Sequence, residues 1–63
     1  MVVNGKYIKS KENKISDLLE ELGLRKDRVV VEVNKEIVSA DSYNKVFLNE
    51  EDNVEIISFV GGG

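Results

Sequence analysis

Apolar positions along the chain follow two periods, and the change from one to the other lays out the elements. Met1-Val2-Val3 and Tyr7-Ile8 are short β-prone runs on either side of Asn4-Gly5. Asn-Gly between such runs predicts a hairpin, because a type I′ turn needs positive φ at both central residues. Strands are expected at 1–4 and 6–10. Ile15, Leu18, Leu19 and Leu22 then fall at i, i+3, i+4 and i+7, a single helical stripe. Asn13 is placed to cap the start of this helix, and Asp17 lies where a negative charge suits the helix dipole. Gly23 is expected in the left-handed position past the last turn, with Leu24 packing back on it. Lys14, Asp17, Glu20 and Glu21 form the opposite, solvated face.

Beyond the polar connection Arg25-Lys26-Asp27-Arg28 the period becomes two. Val29–Val33 reads as a strand from its β-branched density and alternation. Asn34-Lys35 makes a second tight turn into a strand at Glu36-Ile37-Val38. Residues 39–44 read as a loop with room for one helical turn, capped by Ser39 or Asp41. Val46-Phe47-Leu48 is short and apolar, residues 49–53 form a turn, and residues 54–60 form the last strand.

A hairpin, a helix and then strands predict an α+β fold. One amphipathic helix packs across one face of a mixed sheet of four to five strands. If the final strand pairs with the first, the two are parallel, and a right-handed crossover places the helix over the sheet. Residues 1–60 are expected as a single domain and 61–63 as a flexible glycine tail.

One helix covers only one face of the sheet. Alternation assigns Val29, Val31, Val33, Val54 and Ile56 to the core with Ile15, Leu18, Leu19 and Leu22. Val30, Ile57 and Phe59 fall on the open face and, with Val60 beside the tail, make a candidate partner-binding patch. For Ile57 and Phe59 two readings stand side by side: a docking patch, or ordinary surface apolar residues with Phe59 curling into the core. Val30 reads as a plain surface residue.

Composition narrows the function. The chain has 63 residues, no cysteine and no histidine. It therefore lacks thiolate chemistry and the commonest general base and metal ligand. A core this small leaves little room for a self-sufficient active site. The net charge of −3 disfavours nucleic acid as a partner. No apolar run approaches a membrane span and no signal-peptide layout is present, so a cytoplasmic location is expected. Glu50-Glu51-Asp52 lacks the spaced oxygen ligands of a calcium site and reads as a solvated turn. Tyr7 and Tyr43 read as amphipathic packing residues.

The chain then runs from an apolar strand into Gly61-Gly62-Gly63. Glycines without side chains contribute little packing and carry a large ordering entropy. They offer a thin main-chain carboxylate that fits a narrow site, so the carboxylate of Gly63 is the candidate working group. The plain alternative is a frayed end.

Several segments together resemble a known family. They are Val3-Asn4-Gly5-Lys6, the helix from Ile15 to Leu22, Glu32-Val33-Asn34-Lys35-Glu36-Ile37-Val38, and the closing stretch from Asp52 through Val54-Glu55-Ile56-Ile57-Ser58-Phe59-Val60 to Gly63. The whole chain is similar to the thiamine-biosynthesis sulfur carriers (ThiS type), which have a ubiquitin-like β-grasp fold. One departure is Glu51-Asp52, where Gly-Asp is common, and it should alter only a turn. The resemblance implies that the chain is a carrier and no enzyme itself. An E1-like adenylyltransferase (ThiF type) would use ATP to adenylate Gly63. A persulfide donor such as a cysteine desulfurase would convert the adenylate to a thiocarboxylate, and thiazole synthase (ThiG type) would take the sulfur. Gly61, Gly62 and Gly63 would enter the partner's site, with no permanently bound cofactor. The alternatives are a molybdopterin-synthase small-subunit type of carrier, a ubiquitin-like protein modifier, and a non-catalytic β-grasp interaction module.

Overall fold

Two tight turns set the register of the sheet. Asn4 and Gly5 have φ of 52° and 83°, and Asn34 and Lys35 have φ of 53° and 73°. Both pairs thus supply the two positive φ values that a right-twisted hairpin needs. The computed structural model describes residues 1–9 and 14–59. Its elements are β1 (Val2–Val3), β2 (Lys6–Tyr7), α1 (Ile15–Glu21), β3 (Val29–Val33), β4 (Glu36–Val38) and β5 (Asn53–Ser58). Short 3₁₀ turns occupy Lys26–Arg28 and Ala40–Ser42.

The five strands form one sheet in the order β2-β1-β5-β3-β4. β1 and β5 are parallel, with Val2 opposite Asn53 and Val3 opposite Val54, and the other neighbours are antiparallel. β5 is therefore central. The first hairpin is shorter by ladder than the sequence predicts, but the Met1 and Ile8 backbones still exchange hydrogen bonds of 3.1 and 2.8 Å. Ser10 and Val60, the expected ends of β2 and β5, lie outside the described residues.

Helix α1 packs its stripe on one sheet face. Ile15, Leu18, Leu19, Val29, Val31, Val54 and Ile56 are buried together, as the alternation predicts, and Val33 packs against them half-buried. Leu22 departs from the prediction at 43% exposed. It occupies the C-cap, where the chain leaves the helix, and Leu24 packs against the core instead. The helix ends as predicted: Gly23 has φ of 73°, its N–H donates to Glu20 O at 3.1 Å, and Leu24 N–H donates to Leu19 O at 2.8 Å. Those two bonds define a Schellman ending. Met1, Val3, Tyr43 and Leu48 complete the core.

The helix start differs from expectation. The N-cap position is Lys14, with no side-chain capping bond, and Asn13 lies outside the described residues. The loop after β4 satisfies the first turn. Ile15 N–H donates to Val46 O at 3.2 Å and Ser16 N–H to Tyr43 O at 2.8 Å. Orphan amides at a helix start need some acceptor, and here the acceptors are distant carbonyls. Ser39 stands at the N-cap of the second 3₁₀ turn, also without a side-chain bond. Phe47 bridges to Lys14 and stays exposed, its ring centroid 5.9 Å from Lys14 Nζ.

Candidate functional site

The site is built around the last strand. β5 lies between β1 and β3 and hands the chain on through Phe59, whose N–H donates to Arg28 O at 3.1 Å. The strand is held in place along both edges at its start. Val2 N–H donates to Asp52 O at 3.0 Å, Asn4 N–H to Val54 O at 2.9 Å, and Asn34 N–H to Asn53 O at 2.8 Å. The Asn34 side chain adds bonds to Asp52 and Asn53 of 3.0 and 2.9 Å. Asp52 also closes the preceding turn by accepting from Asn49 N–H at 2.8 Å. Among the described residues Glu51 is not one of those with positive φ, so the turn needs no glycine there.

The face away from α1 carries the predicted patch. Val30 and Ile57 are directly opposite each other on β3 and β5. Val30 is half-buried, Ile57 is 51% exposed, and Phe59 is 46% exposed, so Phe59 does not enter the core. Ile37 is exposed and extends this apolar surface across β4 in the row that holds Glu32. Tyr7, paired with exposed-face Val2, lies at the far edge and is also exposed, unlike buried Tyr43. Sequence reasoning overlooked Ile37 and Tyr7 as members of this face. The register of their strands, two residues and three residues long, was the missing signal.

Two carboxylates interrupt the apolar surface. Glu32 and Glu55 are directly opposite on β3 and β5. Among the described residues the one ion pair within contact distance is Arg25 with Asp27, at 3.1 Å. Like charges facing across a sheet are unfavourable, and a basic group brought by another molecule would relieve them. Among the described residues no group of three or more His, Cys, Asp or Glu is arranged to hold a metal ion. On the helix side, Ser16, Leu19, Glu20, Leu24 and Lys26 line an open depression of about 310 Å³ that gathers no catalytic set. Val60, Gly61, Gly62 and Gly63, the predicted end of the patch and the tail, lie outside the described residues. Among the described residues no helix is long and apolar enough to cross a membrane.

A five-stranded mixed sheet grasping one short helix, with a bare face beside the end of its central strand, defines a ubiquitin-like β-grasp protein. The family model described as the ThiS family matches residues 1–63. The chain belongs to the ThiS family. It is 44% identical over 63 residues to the sulfur carrier protein ThiS of Bacillus subtilis (strain 168), covering 97% of this chain and 96% of that protein. It is also 42% identical over 64 residues to a thiazole synthase of Paramagnetospirillum magneticum, a match that takes in all of this chain and 20% of that protein. The crystal structure of the thiamine biosynthesis protein ThiS from Geobacter metallireducens superposes with a TM-score of 0.81 at 29% identity, covering 98% of this chain and 96% of that one.

Proposed function

We propose that this protein is the sulfur carrier of thiazole formation in thiamine biosynthesis, with the carboxylate of Gly63 as the group that is charged. This reading rests on membership of the ThiS family over residues 1–63 combined with a glycine run that begins two residues after Phe59, the first residue past the central strand. A carboxylate is a poor electrophile until its oxygen becomes part of a leaving group. The Gly63 carboxylate attacks the α-phosphorus of ATP in an adenylyltransferase of the ThiF type, and pyrophosphate leaves. The terminal sulfur of a persulfide then attacks the acyl carbon and AMP leaves. A thiol cleaves the resulting S–S bond, so that the thiol pair is oxidised to a disulfide and Gly63 is left as a thiocarboxylate. A cysteine desulfurase is the class of donor that supplies such a persulfide. A thiazole synthase of the ThiG type is the acceptor. The likeness of this chain to segments of thiazole synthases supports a synthase as partner.

This chain contributes reach and docking, and the ATP belongs to the partner. Four residues from Val60 to Gly63 span roughly 13 Å when extended, enough to enter a site that the domain itself is too wide to enter. The absence of Cβ atoms at Gly61, Gly62 and Gly63 lets the acyl group approach a nucleophile without side-chain obstruction. Val30, Ile57 and Phe59 form the surface on which the partner seats. Reconstitution with purified adenylyltransferase, persulfide donor and thiazole synthase tests the reading. Thiazole formation is expected to depend on this chain and to be lost when Gly63 is deleted, with the circular dichroism spectrum unchanged. Equal thiazole formation by the truncated chain would contradict it.

A further inference from the structure

β5 outruns β1, and past Asn4 its backbone groups on that side have few partners among the described residues. Phe59 N–H donates to Arg28 O, and Asn34 N–H donates to Asn53 O, so the odd-numbered residues of β5 direct their amides and carbonyls toward β3. The even-numbered residues face the β1 side. There Val54 O accepts from Asn4 N–H at 2.9 Å, and Ile56 N–H donates to Asn4 Oδ1 at 2.8 Å. At Asn4 the first hairpin turns away. Among the described residues nothing pairs with the carbonyl of Ile56 or with the N–H and carbonyl of Ser58. This stretch carries none of the usual guards of an exposed edge, since it contains no proline, no lysine and no bulge.

We propose that this edge, Ile56 to Ser58, receives an extended strand of the thiazole synthase that accepts the sulfur, in line with β1. The inference rests on the sulfur-carrier reading and adds the mode of docking. A strand added here makes bonds to Ser58 and Ile56 and extends the sheet. Its side chains lie against Ile57 and Phe59 on the open face, both about half exposed. It also holds β5 extended through its last residue, Ser58. A segment like this whole chain occurs within a thiazole synthase of Paramagnetospirillum magneticum, and a shorter one within a second thiazole synthase, which favours a synthase as the occupant. A second copy of the chain is a poorer occupant. Pairing β5 with another β5 puts the second copy's Asn4-Gly5 tip into the line of the first copy's tail.

The test reads one amide. In the free chain the Ser58 amide is expected to exchange rapidly with solvent, while Ile57, in the ladder with Val30, is protected. In the complex with thiazole synthase Ser58 becomes protected. Ser58→Pro removes the open-edge donor and leaves the ladder to β3 intact, and is expected to weaken synthase binding about three- to tenfold. If Ser58 exchanges as fast in the complex as in the free chain, the edge inference is wrong and the carrier reading stands. The same holds if a folded Ser58→Pro chain binds with full affinity. If the unaltered chain neither binds the synthase nor supplies its sulfur, the carrier reading fails and this inference with it. Should Ser58→Pro not fold, the exchange measurement on the unaltered chain decides alone.

Discussion

The carboxamide of Asn4 accepts a hydrogen bond from the amide of Ile56, 2.8 Å away and 52 residues later in the chain. Asn4 does this from the left-handed region, at φ of 52°, while its own N–H donates to Val54 O. A side chain thus carries the β1–β5 ladder one rung past the point where the β1 backbone turns back. The first turn and the strand that leads to the tail are parts of one structure.

Replacing Asn4 separates those roles. Asn4→Gly keeps the positive φ and loses the side-chain bond, and is expected to destabilise the fold by about 1 kcal/mol. Asn4→Ala loses the bond and also strains the turn, for a total of about 2 kcal/mol or more. Urea denaturation of the two variants gives the order directly. Equal stability of Asn4→Ala and the unaltered chain would show that the Ile56 bond contributes nothing.

The facing carboxylates on the open sheet surface predict a gain. Glu55→Gln removes the repulsion with Glu32 directly opposite and should raise stability by about 0.2–1 kcal/mol. The gain should shrink as salt is added, because these side chains reach solvent. The same change should weaken binding of any partner that presents a basic group to the pair. A stability gain that is independent of ionic strength would point away from charge repulsion.

Phe59 distinguishes docking from folding. At 46% exposed it has solvent beside it, so Phe59→Asp is expected to leave the unfolding midpoint nearly unchanged. Binding to the adenylyltransferase is expected to fall by about tenfold or more, the usual scale for an aromatic anchor. Val31→Asp, at a fully buried position on the neighbouring strand, should instead unfold the domain. Collapse of the fold in Phe59→Asp would place that ring in the core.

Local signals in the sequence carried most of the fold. Asn4-Gly5, Asn34-Lys35 and Gly23 each sit at a turn whose φ requirement is written in residue type. The alternation in Val29–Val33 and in β5 gave the buried and open faces because a sheet with one helix has only one covered side. Leu22 misled because helical periodicity does not say where the helix stops relative to the sheet beneath it. The burial of Tyr43 and the capping of α1 by Tyr43 O and Val46 O were illegible for a related reason. They depend on a loop returning to the helix start, through contacts between residues 27 and 31 positions apart that have no local signature. In the candidate site, Val30, Ile57 and Phe59 were legible from period two. The pairing of Glu32 with Glu55 was not, since it follows from inter-strand register. That no described residue pairs with Ser58 on the β1 side follows from how far β5 extends past Asn4, which only the assembled sheet reveals.

In the proposed function, Gly63 carries the sulfur. The most direct test is the intact mass of the chain after incubation with ATP, an adenylyltransferase of the ThiF type and a persulfide donor. The expected result is the mass gain of one sulfur replacing one oxygen, mapped by fragmentation to Gly63 and absent when ATP is withheld. A chain that shows neither that gain nor an AMP adduct with a competent activating enzyme would contradict it.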